Sequence, residues 1–167
     1  ISTWDTSNVT SMESLFAYSP FNSNLNYWNT SKVTNMERLF ENATVFNQNI
    51  GSWITSNVTS MLSTFENAST FNQDINTWDV SNVTSLENTF YKASSFNQDL
   101  GSWIVSKVTT MTNLFQQTAF DQDIGIWDVS NVTNIQSLFA STPFNQNIRG
   151  WIVSNVTNME TVFWRAQ

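Results

Sequence analysis

A tryptophan returns every 24 or 25 residues, at Trp4, Trp28, Trp53, Trp78, Trp103, Trp127 and Trp151, and nearly the same phrase travels with each copy. A period of this size restricts the fold to an array, because one such unit cannot close a core alone and must bury its apolar face on its neighbours. The 167 residues therefore read as seven stacked units and not as one domain around one centre. Function has to sit on a surface that repeats.

Composition narrows the partners. Thirteen acidic and six basic residues give a formal charge of −7, with no histidine. That balance lacks the basic footprint needed to hold phosphates, so nucleic acid and anionic membranes are not expected partners. Only 11% of residues are charged, while Asn, Ser and Thr crowd the chain, as suits hydrogen-bonded ladders and stacked turns. Without cysteine there is neither a disulfide framework nor a thiolate metal site, and packing must hold the array. No apolar stretch nears the roughly 18 residues of a membrane span, so this segment is not expected to insert. The chain opens on Ile1 without an initiator methionine or signal sequence.

The central unit starts at Phe71 and reads Phe-Asn-Gln-Asp-Ile-Asn-Thr-Trp-Asp-Val-Ser-Asn-Val-Thr-Ser-Leu-Glu-Asn-Thr-Phe, followed by a Tyr-Lys-Ala-Ser-Ser link. Five residues after each Trp stands a valine, from Val9 to Val156, and Thr follows it in all seven copies. The next residue, Ser11, Asn35, Ser60, Ser85, Thr110, Asn134 or Asn158, is of helix N-cap type, and Glu13, Glu37, Glu87 and Glu160 fall where a first helical turn favours acids. Apolar residues then recur at i, i+3 and i+4, as in Met12, Leu15, Phe16 and Met111, Leu114, Phe115. This spacing predicts a helix of about two turns with one inward face, stable only when packed. β-Branched residues concentrate around Val80–Thr84 and its equivalents, which predicts a short strand there. Pro20 and Pro143 mark the link in two of the three 24-residue units, where a loop absorbs the lost residue. The fold class expected is an α/β repeat solenoid of about seven coils, each pairing a short strand or extended segment with a short helix.

The phrase Phe-Asn-Gln-Asp-Ile-x-x-Trp-Asp-Val-Ser-Asn-Val-Thr-x-Met/Leu, with its following Phe and Ala, resembles the BspA-like surface-protein repeat of about 25 residues, and the likeness runs the length of the chain. Aromatic residues and Met occupy many core places that a leucine-rich repeat gives to Leu. The resemblance implies leucine-rich-repeat-like coils displayed outside the cell, in an adhesive or host-contact protein with no catalytic residues to transfer.

Candidate residues follow from the columns the repeat creates. The Trp column reads as an aromatic spine, with a sugar-stacking platform as the alternative. Trp164 stands outside it, beside the end of the last unit, where it would cover an open end or meet a partner. Asn22, Asn47, Asn72, Asn97 and Asn145, with Asp121 replacing Asn once, form a column whose side chains can bond from coil to coil, or present a lattice to a glycan, mineral or ice. Asp74, Asp99 and Asp123 stack like charges and require relief by exposure, by backbone donors or by a hard cation, which makes them calcium candidates without a full calcium-loop motif. Asn8, Asn29, Asn42, Asn57, Asn67, Asn82, Asn131 and Asn155 match the N-glycosylation pattern. Five of them belong to the Asn-Val-Thr phrase that the repeat itself demands, so structural need is an equal explanation. With neither His nor Cys and with scattered carboxylates, no nucleophile–base pair or acid pair can be nominated, and no cofactor is expected.

The chain ends in mid-repeat, so residues 1–167 are expected to form a single uncapped array that continues in a longer chain or an assembly, with Ile1, Trp4, Phe163 and Trp164 making end-to-end contacts. The leading functional expectation is an extracellular, non-enzymatic structural and adhesive component of a cell surface or appendage, assembling end to end into a filament. Its partners would be itself, flanking repeats, or a host or matrix protein or glycan. The alternative is a glycan-, ice- or calcium-binding module using the Asn, Thr and Asp columns.

Overall fold

The computed structural model describes Ile1 and residues 3–167. Seven coils lie one on the next, in register with the repeat. Isolated parallel bridges join Ser11 to Asn35, Asn35 to Ser60, Ser60 to Ser85, Ser85 to Thr110, Thr110 to Asn134 and Asn134 to Asn158. Among the described residues these bridges are the only sheet-like pairing, and there is no helix.

The expected α/β solenoid is therefore corrected: neither the two-turn helices nor the strands at Val80–Thr84 and its equivalents form. Each coil is a closed path of hydrogen-bonded turns. In the fourth coil the N–H groups of Trp78, Val83, Thr89 and Ala93 donate to the carbonyls of Ile75, Val80, Leu86 and Phe90, three residues back. The residues that open these turns are buried, and so are those that close them. Apolar spacing of three is thus the spacing of turns that start and finish in the core while their middle residues face out.

The segment expected to be helical shows why the alternative wins. Leu86, Asn88, Phe90 and Lys92 send their N–H groups along the stack to the carbonyls of Thr110, Thr112, Leu114 and Gln116, at 2.9 to 3.1 Å. In a helix those groups would bond four residues back within the coil. A helix this short is marginal in water, whereas a neighbouring coil offers a carbonyl for each of these donors, the buried Leu86 and Phe90 among them. The alternation requires left-handed backbone at two places per coil, and Asn88 and Lys92 adopt φ of 55° and 60°. Fourteen non-glycine residues do so along the described chain. With positive φ confined to the third residue, the turns Leu86–Thr89 and Phe90–Ala93 have type II character.

The residues of N-cap type keep cap chemistry without a helix. Ser11, Asn35, Ser85, Thr110, Asn134 and Asn158 each accept, on a side-chain oxygen, the backbone N–H two residues on. Asx and Ser/Thr turns use the same atoms as N-caps.

Aromatic columns fill the interior. Phe40, Phe65, Phe90, Phe115 and Phe139 stack from coil to coil with ring centroids 5.5 to 6.1 Å apart. A second column, Phe46, Phe71, Phe96, Phe120 and Phe144, runs beside it at 6.0 to 6.3 Å. The tryptophans from Trp28 to Trp127 are buried, and each indole N–H donates to an Ile or Leu carbonyl of the preceding coil, as Trp78 does to Ile50 at 3.1 Å. No buried side-chain polar atom among the described residues lacks a partner.

Candidate functional surface

With the spine inside, the outward columns are what another molecule meets. The Asn column is a coil-to-coil ladder. Asn72 Oδ1 accepts the backbone N–H of Asn97 at 3.0 Å and the side-chain amide of Gln98 at 2.9 Å, and Asn47 and Asn97 do the same for their neighbours. Asp121 takes over the role, accepting from Asn145 and Gln146. The requirement is an acceptor oxygen, which explains why one carboxylate is tolerated among amides.

The exposed threonines after each valine form a second ladder. Thr34, Thr59, Thr84, Thr109, Thr133 and Thr157 donate their hydroxyls to the backbone carbonyl of the preceding Thr in the column. Asn57, Asn82, Asn131 and Asn155 flank them and donate Nδ2 to the carbonyls of Ser31, Ser56, Ser106 and Ser130. Asn8 accepts from Lys32, Asn29 accepts the Ser31 N–H, and Asn42 and Asn67 sit at left-handed positions with Asn67 donating to Asn42 at 2.6 Å. All eight sequon asparagines thus have a structural bond, and those of the Asn-Val-Thr phrase face outward or lie half-exposed.

Asp74, Asp99 and Asp123 are exposed, and each accepts the backbone N–H two residues on, from Asn76, Gly101 and Gly125. Backbone donation and solvent supply the relief these stacked charges require. No group of three acidic side chains converges among the described residues. A different acid column carries shifted protonation: hydrogen bonds from the side chains, then the backbone N–H groups, of Ser7, Ser81 and Ser130 hold Asp5, Asp79 and Asp128 below the ordinary aspartate range. Tyr18 is pushed up by its hydrogen bond to Glu41, at 2.8 Å.

Ile1 and Trp4 lie exposed on the first coil, and Phe163 and Trp164 on the last, where Arg165 covers the Trp164 ring at 4.3 Å. Near the last coil an apolar concavity is lined by Phe139, Trp151, Met159 and Phe163 among others. Sequence reasoning misses the positions flanking each Trp, where Tyr27, Ile54, Ile104 and Ile126 stand exposed. The signal is a large apolar residue at a place other copies give to Asp, Asn, Thr, Ser or Gly.

No curated protein and no solved structure matches the chain. A family profile described as "Mycoplasma protein of unknown function, DUF285" matches residues 1–103 and 85–167, which together span the whole length. The match supports a family of repeat proteins, without singling out the BspA-like repeat within it. With the matched residues covering the chain from 1 to 167, this chain belongs to the DUF285 family.

Proposed function

We propose that the chain is a non-enzymatic structural and adhesive repeat segment of an extracellular surface, a stiff stack that presents the same contact chemistry coil after coil and extends end to end into a filament. The observation that carries this reading is the reuse of one outward pattern, the Asn and Thr ladders, whose donors are committed to holding coils together. Adhesion by such a face is multivalent, with many weak contacts summed along the stack. No His or Cys is available as a base or nucleophile, and Asp5, Asp74, Asp79, Asp99, Asp123 and Asp128 sit at repeat spacing in Asx turns. Flanking repeats, a second copy, and host or matrix glycan or protein are the partners this reading names. An antibody against the chain, applied to intact cells that express it, tests the location. Labelling that external protease removes supports the reading, and labelling seen only after permeabilisation overturns it.

The exposed threonine column favours a second reading, a glycan-, ice- or calcium-binding module. A rise in melting temperature on adding calcium, reduced by Asp99→Asn, would favour the calcium form.

A further inference from the structure

We propose that the edge of the stack flanking the tryptophan column is a self-complementary interface that docks, antiparallel and about a two-fold axis at the fourth coil, onto the same edge of a second copy of this chain. The edge consists of the residues just before and just after each Trp, which point outward because the Trp between them points in. In most coils one member of the pair is large and apolar: Tyr27 is 77% exposed, Ile54 53%, Ile104 60%, Ile126 80% and Ile152 62%. Away from the first and last coils, Val45 is the one other exposed large apolar residue. Scattered apolar residues need no explanation, but their confinement to one edge marks a contact surface.

The order along the edge identifies the occupant. The second and sixth coils carry their apolar residue before the Trp, as Tyr27 and Ile126. The third and fifth carry it after, as Ile54 and Ile104. The fourth has none, with Thr77 and Asp79 at the two places. From the second coil to the sixth the pattern therefore reads alike in both directions from the fourth, while in the outermost pair Ile152 of the seventh coil meets Asp5 of the first. An isologous two-fold contact has this requirement, since each residue must face the mate of its partner. With the axis in the interface and across the stacks, Tyr27 faces Ile126 of the other copy and Ile54 faces its Ile104. With the axis along the stacks, Tyr27 would instead face Asn29 and Ile54 would face Ser52, so the antiparallel arrangement is selected.

Pitch points to the same occupant. The stripe repeats with the stacking of the coils, where the Trp28–Trp53, Trp53–Trp78 and Trp103–Trp127 ring centroids lie 6.2 to 6.5 Å apart, and another stack has that repeat by construction. Charge is compatible as well. The two Asp79 side chains approach the axis exposed to solvent, and Lys107, bonded to Asn82 at 2.6 Å, adds a positive charge in the next coil. The overall charge of −7 disfavours an anionic membrane as the occupant.

This inference goes beyond the proposed surface role and does not depend on the stack ends. Sedimentation velocity of the 167-residue chain over a concentration series tests it, beside Ile54→Asp/Ile126→Thr, which installs residues the fourth coil already carries and so preserves the coils. A second probe exploits the absence of cysteine: Asp79→Cys at the axis, and Thr84→Cys on the Asn/Thr face. The expected result is a concentration-dependent dimer, lost in the double variant while its tryptophan fluorescence and melt are retained, and trapped on mild oxidation by Asp79→Cys but not by Thr84→Cys. A parent that stays monomeric throughout overturns the proposal. So does association that survives the double variant, or cross-linking by Thr84→Cys in preference to Asp79→Cys.

Discussion

Lys92 concentrates the local problem that this fold solves. It is exposed, with φ of 60°, in a conformation that an ordinary L-residue adopts at a cost of about 1–2 kcal/mol. The cost is accepted because its N–H thereby reaches the carbonyl of Gln116, 2.9 Å away in the next coil. Lys92→Gly is expected to leave stability unchanged or raise it by up to about 1 kcal/mol, despite the flexibility glycine adds to the unfolded chain. Lys92→Val should lower it by about 1–2 kcal/mol, as a β-branched side chain resists this region. Urea titrations of both variants check the pair. Protonation is a second matter at this scale. Asp5, Asp79 and Asp128 have carboxyls held low by Ser7, Ser81 and Ser130. The folded state therefore binds these protons more weakly than the unfolded chain. Their contribution is present above the unfolded value of about 4 and is lost as pH falls through the lower folded values. The triple variant Asp5→Asn/Asp79→Asn/Asp128→Asn copies the residue that Asn29 already places in the same column. It should lose less melting temperature between pH 5 and about 2 than the parent.

At the scale of the coil, the ladders decide what is tolerated. Asn72→Ala removes the acceptor for the Asn97 N–H and the Gln98 amide at once, and should cost about 1–3 kcal/mol by leaving half-buried donors unpaired. Asn72→Asp keeps an acceptor in place, as Asp121 does naturally, and should cost much less. Denaturant midpoints for the two variants separate an acceptor requirement from a mere packing one. The coil also explains what can be read from sequence. The period, the tryptophan spine and the Asn ladder are legible, since one residue type fixed at one place in successive copies implies one repeated environment. The turn ladder is not, because Met111, Leu114 and Phe115 have a spacing that turns starting and ending in the core share with a helical face, and Thr110 offers the same hydrogen bond as an N-cap or a turn opener. Local signals cannot reveal whether an N–H will turn inward four residues back or outward to a neighbouring coil. The stripe beside the Trp column is hidden for the opposite reason. Tyr27, Ile54 and Ile126 differ from their equivalents, so they look like noise until burial shows that they lie on one edge.

The whole molecule behaves as an array of coils that contact only their neighbours, so its stability should scale by interfaces. Deleting residues 71–95 joins Thr70 to Phe96 and restores the register. The shortened chain is expected to fold with the same circular dichroism per residue and a lower melting temperature. Deleting only residues 71–82 removes Asn72, Trp78 and Asn82 from their columns and leaves half a coil out of register, and should abolish cooperative melting. The central claim is that the segment after each bridge is a turn ladder between coils instead of a helix within one. The most direct measurement is the NMR scalar coupling across hydrogen bonds in labelled protein, which reports the carbonyl that each N–H meets. The account predicts couplings from the Ser63, Phe65 and Asn67 amides to the carbonyls of Glu87, Thr89 and Tyr91. Couplings from the Phe65 and Asn67 amides to the carbonyls of Met61 and Ser63, four residues back, would contradict it.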